Sequence, residues 1–192
     1  MSKVSSISGH NEIPPVVKEI IYDEQTISKR VAELAQEITR DYRGKELVMV
    51  GILKGAFLFL CDLSRQLPFP VCLDFLAISH YGQENTTGEV RIIKDLEEDV
   101  SQKHLLLIED IVDTGLSLNY LVRVLLKRDP ASLAVCTLLD RTDLRLADVP
   151  LKYVGFNVSH EFLIGYGLDY RDRYRDLPFI ASMQFTSEVE EI

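Results

Sequence analysis

An open, mostly parallel α/β sheet flanked by helices is the fold this sequence predicts. Two observations carry it. Short apolar runs of strand length alternate with stretches of helical periodicity through the middle of the chain. Gly44, Pro68 and Pro130 then close the three helical stretches.

Residues 1–15 are polar and end in Pro14-Pro15, which predicts a flexible lead-in. A helix starts at Asp23, where Ile27, Val31, Leu34, Ile38 and Tyr42 recur at helical spacing and Gly44 takes the C-cap. LVMVGIL (47–53) is continuously apolar and branched, the pattern of a strand buried on both faces. AFLFLCDLSRQL (56–67) is helical up to Pro68, and VCLDFLAIS (71–79) is the next strand. The polar stretch HYGQENTTGE (80–89) has two glycines and leads into VRII, so it is a long surface loop or an extended hairpin arm. LLLI (105–108) is the third core strand, and LSLNYLVRVLLKRD (116–129) is an amphipathic helix. SLAVCTLLD (132–140) and LKYVGFNV (151–158) supply two more strands, and the acidic tail TSEVEEI is solvated.

The chain has 192 residues, 46% hydrophobic and 27% charged, enough for one well-cored domain. A net charge of −9 argues against general binding to nucleic acid or anionic membranes. If the substrate is a polyanion, the cations that hold it must be few and local. Cys61, Cys72 and Cys136 show no ligand spacing, which predicts neither zinc nor a disulfide framework and suits a cytoplasmic protein. The N-terminus lacks the apolar run of a signal peptide, and no segment approaches the roughly 18 apolar residues of a membrane span.

Parallel sheets bind ligands beyond the carboxyl ends of their strands. Lys54-Gly55 follow the first apolar run. Glu109, Asp110, Asp113 and Thr114-Gly115-Leu116-Ser117 follow the third, and Asp140-Arg141 the fourth. One such charge is an ordinary strand cap; three on one edge point to a site. Two carboxylates can accept from vicinal hydroxyls or hold a divalent cation. The hydroxyls of Thr114 and Ser117, with free amides at a helix start, form a phosphate cradle. Together they suit a phosphorylated pentose. No Walker A loop occurs.

LLLIEDIVDTG (105–115) resembles the 5-phosphoribosyl-1-pyrophosphate (PRPP) signature of type I phosphoribosyltransferases, and its Glu-Asp pair with Asp113 resembles the purine-salvage branch. VGILKGAFLF (50–59) is similar to that branch's pyrophosphate loop, and YGQENTTGEV (81–90) to its mobile loop. VGFNVSHEFLIGYGLDYRDRYRDLPFI (154–180) is similar to its purine-binding segment. The resemblance spans roughly residues 15–180.

It implies a type I phosphoribosyltransferase fold in a single domain over 1–192, with a small hood built from N- and C-terminal segments. Residues 80–92 would be a mobile loop and 150–180 the purine-binding hood segment. The implied reaction passes the phosphoribosyl group of PRPP to hypoxanthine and/or guanine, giving IMP or GMP and pyrophosphate, with Mg²⁺. Glu109 and Asp110 would engage the ribose hydroxyls directly or through magnesium, Asp113 would be the base facing purine N7, and Thr114, Gly115, Leu116 and Ser117 would hold the 5-phosphate. Lys54, Gly55 and Arg175 would bind pyrophosphate, and the peptide before that Lys is often cis in the family. Phe162 would stack on the purine, backbone at Leu163 would read its edge, Asp169 would sit near a second magnesium, and Tyr81 belongs to the lid. Taken singly, Phe162 reads as core, Asp169 as a turn residue and Arg175 as a solvated charge. The family also implies a homodimer or homotetramer.

Two positions depart from the family pattern. Arg141 stands where a Lys usually meets purine O6, and a planar guanidinium is not equivalent to an ammonium, which bears on the choice among hypoxanthine, guanine and xanthine. His80 precedes Tyr81 where Ser is usual. The alternative function is a PRPP- or nucleotide-sensing regulator that keeps the fold without catalysis. A phosphoacceptor signalling domain would need acids near the first core strand, and LVMVGILKG offers none.

Overall fold

The computed structural model describes residues 14, 16–81 and 89–184. The lead-in other than Pro14, the loop tip at 82–88 and the acidic tail lie outside the described residues.

Six strands form the main sheet: β2 (Leu47–Leu53), β3 (Cys72–Tyr81), β4 (Glu89–Lys94), β5 (His104–Val112), β6 (Ser132–Asp140) and β7 (Leu151–Asn157). Their spatial order is β4-β3-β2-β5-β6-β7. All neighbours pair parallel except β4, which returns antiparallel along β3 at one edge. VRII is therefore one arm of an extended hairpin, the second of the two readings its sequence allowed. From β2 the chain moves outward to β3; from β5 it moves the other way to β6 and β7. The switch point lies between β2 and β5, where an open α/β sheet offers its crevice.

Helix α1 (Glu24–Tyr42) starts where Asp23 accepts a hydrogen bond from the Thr26 N–H at 2.8 Å, and Gly44 follows it at φ 78°. Its stripe of Ile27, Val31, Leu34 and Ile38 is buried. Each such side chain contributes about 1.5–3 kcal/mol of burial free energy. That stripe packs with α2 (Phe57–Arg65) against Met49, Leu106 and Ile108 on one face of the sheet. Helix α3 (Leu116–Leu126) sets Leu118, Leu121, Val122 and Leu125 against Val48, Val50, Leu105 and Leu107 on the other. Both faces are covered, so β2 and the first half of β5 tolerate no polar alternation.

Several boundaries differ from the sequence reading. β5 runs on to Val112 instead of ending at 108, because its ladder with β6 continues through Glu109↔Thr137 and Ile111↔Leu139 to Val112↔Asp140. α3 stops at Leu126, short of 129, in a turn that ends with Asp129 at φ 55°. α2 is shorter than 56–67 at both ends.

A second sheet forms the hood. β1 (Val17–Tyr22), β8 (Leu163–Ile164) and β9 (Ile180–Met183) lie in the order β1-β9-β8, all antiparallel. The hood joins N- and C-terminal segments as the family resemblance implies. Residue patterning alone had shown neither β1 nor the two short late strands.

Candidate active site

Alternation along β5 decides where its acids go. Leu105 and Leu107 face α3, whereas Leu106 and Ile108 face α1 and α2. Glu109 continues the first series and Asp110 the second, so the adjacent carboxylates leave opposite faces of one strand. Glu109 lines a groove of about 290 Å³ with Ile78, Asp113, Thr114, Gly115 and Ser117. Its Oε2 is sealed from solvent without a hydrogen-bond partner, and burial, with the charge of Asp110, pushes the carboxyl well above the ordinary range. Asp110 is pushed up to about 6 by burial, against the pull of the Ile111 N–H at 2.8 Å and the charge of Arg175.

Past Val112 the chain turns sharply. Gly115 adopts φ 75° and caps α3, and a Cβ there would lie 3.0 Å from Arg145 Cδ and 3.2 Å from the Ala147 carbonyl oxygen. Only glycine meets both demands. Thr114 Oγ1 accepts from the Leu116 N–H at 3.4 Å, and Leu116 itself stands 54% exposed at the helix start. Thr114, Gly115 and Ser117, at this helix start, border the groove that Glu109 lines.

On the other face, the Leu53–Lys54 peptide is cis and leads into Gly55. A side chain at Gly55 would run into the Asp110 carboxylate, and one at Gly167 would run into the Gly55 carbonyl. The loop after β2 is thereby gripped between β5 and the hood. Lys54 Nζ donates to Asp172 Oδ1 at 2.9 Å, and Arg175 Nη2 donates to the same oxygen at 3.0 Å. These two cations hold the Asp172 carboxyl below the usual range. Arg175 also meets Asp169 Oδ1 at 2.8 Å and donates to the Gly167 carbonyl at 2.7 Å. Asp172 is a site residue the sequence reading missed; within RDRYRD nothing local marks it.

Arg141 spends all three kinds of guanidinium nitrogen here. Nη1 donates to Asp113 Oδ1 at 3.0 Å, Nε to the Ser159 carbonyl at 3.2 Å and Nη2 to the Glu161 carbonyl at 2.6 Å. It links the proposed base to the stretch that precedes Phe162. Phe162 is 42% exposed and meets Tyr170 edge-on, with centroids 5.8 Å apart, so it is no core residue. Leu163 has a buried side chain on β8, the edge strand of the hood sheet, whose outer side leaves backbone groups for a ligand. Tyr81 ends β3 opposite Glu89, at the root of the loop.

The donor set fits magnesium. Carboxylate oxygens are the hard ligands that Mg²⁺ takes, and Asp110 lies close enough to feel the charges of Asp169 and Arg175. Among the described residues no group of three or more potential ligands encloses a metal by itself. An ion here must complete its shell with substrate oxygens and water, as Mg²⁺ does at phosphate sites. Glu109, on the opposite face, adds a buried carboxylate oxygen without a partner.

The fold and this site suit a transferase that works at the switch point of its sheet. The phosphoribosyl transferase domain family matches residues 18–171. A hypoxanthine-guanine phosphoribosyltransferase of Mycobacterium tuberculosis is 44% identical over 177 residues, covering 88% of each chain. A hypoxanthine phosphoribosyltransferase of Salmonella typhimurium is 44% identical over 173 residues, covering 88% of this chain and 97% of the relative. The crystal structure of a hypoxanthine phosphoribosyltransferase from Staphylococcus aureus superposes with a TM-score of 0.85 at 44% identity, over 88% of this chain and 92% of that one. The chain belongs to the phosphoribosyltransferase family, on its hypoxanthine(-guanine) branch.

Proposed function

We propose that the chain transfers the phosphoribosyl group of PRPP to hypoxanthine and/or guanine, releasing pyrophosphate and forming IMP or GMP in purine salvage. The observation that carries this reading is the contact of three elements at Gly55. The acid-bearing strand, the loop with Lys54 and the hood with Arg175 meet there, on the sheet's switch point.

In the reaction the C1–O bond to pyrophosphate breaks and a bond from C1 to the purine nitrogen forms. Lys54 and Arg175 neutralise charge on the departing pyrophosphate, and both already share a carboxylate oxygen. Magnesium, when bound, adds charge neutralisation at the same pole, and Asp110 and Asp169 are the residues to hold it. Asp113 takes the purine proton, and its Oδ1 accepts from Arg141 Nη1 across the site. Arg141 then has a donor to turn toward an oxygen at purine position 6, with Phe162 stacked on the ring and Leu163 at its edge. Thr114, Gly115, Leu116 and Ser117 hold the 5-phosphate, while Glu109 and Asp110 take the ribose hydroxyls. Closure of 80–92, with Tyr81 at its root, would exclude water from the cationic sugar.

One domain over 1–192, a homodimer or homotetramer and a cytoplasmic location complete the proposal. No helix among the described residues is long and apolar enough to cross a membrane. The test is product detection with PRPP, Mg²⁺ and each of hypoxanthine, guanine, xanthine and adenine. A monophosphate from hypoxanthine or guanine is expected; none from any base would turn the reading to a PRPP-sensing regulator.

A further inference from the structure

Three consecutive carbonyls at the phosphate turn face one segment, residues 141–147. The Val112 oxygen accepts from the Arg141 N–H at 3.0 Å and from Arg145 Nη2 at 3.4 Å. The Asp113 oxygen accepts from Arg145 Nε at 3.1 Å. The Thr114 oxygen accepts from the Leu146 and Ala147 N–H groups at 2.9 and 3.0 Å. In a planar trans amide the C=O and N–H point in opposite directions. Fixing these three carbonyls therefore aims the N–H groups of Asp113, Thr114 and Gly115 away from 141–147. Asp113, Thr114 and Gly115 line the groove, and none of residues 141–147 does.

Of these five bonds, the one to the central carbonyl comes from a side chain, and that side chain is built into place. Arg145 pairs with the Asp140 carboxylate, which is only 6% exposed and stands opposite Val112 in the ladder. Its own side chain is 19% exposed. Its stem fills the space that a Cβ at Gly115 would need. Neither Arg145 nor Asp140 lines the groove, so neither is placed to touch the ligand.

We infer that Arg145, anchored by Asp140, is a positioning residue that sets the peptide planes of the phosphate turn, and so determines how tightly the 5-phosphate is held. The inference rests on the assignment of this turn to the 5-phosphate of PRPP. A merely structural role would lower stability without singling out one substrate; a positioning role separates the phosphate from the other ligands.

The test compares Arg145→Gln, Arg145→Lys and Asp140→Asn in the full chain. Calorimetry with ribose 5-phosphate and, separately, pyrophosphate reports the two anion poles without requiring turnover. Steady-state kinetics report KM for PRPP and kcat. Arg145→Gln should weaken ribose 5-phosphate and raise KM for PRPP by about tenfold, the scale of one lost charge-assisted hydrogen bond. Pyrophosphate affinity should stay within about twofold, because Lys54 and Arg175 are untouched. Arg145→Lys should lie between wild type and Gln, since an ammonium can reach one carbonyl but not the fork of acceptors. Hydrogen exchange of the 112–117 peptide should speed up in all three variants, which keeps the test alive if Arg145→Gln fails to fold. Equal loss of both anions, or unchanged ribose 5-phosphate affinity with unchanged exchange, would overturn the inference. If wild type binds ribose 5-phosphate but forms no nucleotide from any base, the catalytic reading fails while this one stands.

Discussion

Glu109→Gln separates two demands on one position. Oε2 is buried without a partner, and burial with the charge of Asp110 raises the carboxyl. An unsatisfied buried polar atom costs about 1–3 kcal/mol, and more when charged. Gln keeps the shape and one unpaired polar atom, but it removes the charge and the repulsion from Asp110. A net gain of about 1 kcal/mol is expected at neutral pH, or about 2–4 °C in Tm for a domain of this size. The sign has a pH signature. A carboxyl raised in the folded state loses its proton first in the unfolded chain, so wild type loses stability as pH climbs from about 4.3 toward the raised folded value. Gln does not titrate, so the advantage should vanish below about pH 4 and grow toward neutrality. Activity should move the other way: the ribose loses an acceptor, and kcat/KM should fall by about 10²-fold or more. Scanning calorimetry of the ligand-free protein across that pH range, paired with kinetics, reads both effects. A Tm advantage independent of pH, a lower Tm at neutrality, or intact activity would refute the reasoning.

Asp172→Asn should release Lys54 and Arg175 from their shared carboxylate and tighten pyrophosphate a few-fold by calorimetry; weaker binding would show that Asp172 supports the anion instead of competing with it. Gly55→Ala should cost about 10²-fold in kcat/KM, because the new methyl drives the Asp110 carboxylate from its place; near-normal kinetics would contradict the contact. Arg141→Lys should change the turnover ratios among hypoxanthine, guanine and xanthine, and unchanged ratios would remove Arg141 from base selection. Asp74 is 4% exposed: burial pushes its carboxyl up, but the N–H groups of Glu98, Phe75 and Glu97, with Lys94 nearby, outweigh that and hold it below the ordinary range. Asp74→Asn should cost about 1–3 kcal/mol at pH 7. Because the folded value is depressed, wild type keeps this contribution above about pH 3.9 and loses it as pH falls further, so the two proteins should converge in acid denaturation.

What the sequence made legible follows from range. LVMVGIL and LLLI are readable because a strand covered on both faces must be apolar throughout. Ile27, Val31, Leu34 and Ile38 are readable because one turn of helix repeats locally. The acids at 109, 110 and 113 stand out because polar groups that interrupt such a run are costly without a purpose. The hood strands are not readable in this way: Val17 pairs with Met183 across nearly the whole chain, and a two-residue strand such as Leu163–Ile164 has no period. Arg145 and Asp172 escaped for the same reason. Their partners are the Asp113 carbonyl and Lys54, and nothing in DLRLAD or RDRYRD points that far.

The stacking of Asp110, Gly55 and Gly167 leaves no slack between strand, loop and hood. Substitution in that seam cannot retune the enzyme gradually, since the first added carbon already separates its layers. On the proposed assignment, change in which base is accepted falls instead at the exposed Phe162 and along the outer edge beside Leu163, away from that seam.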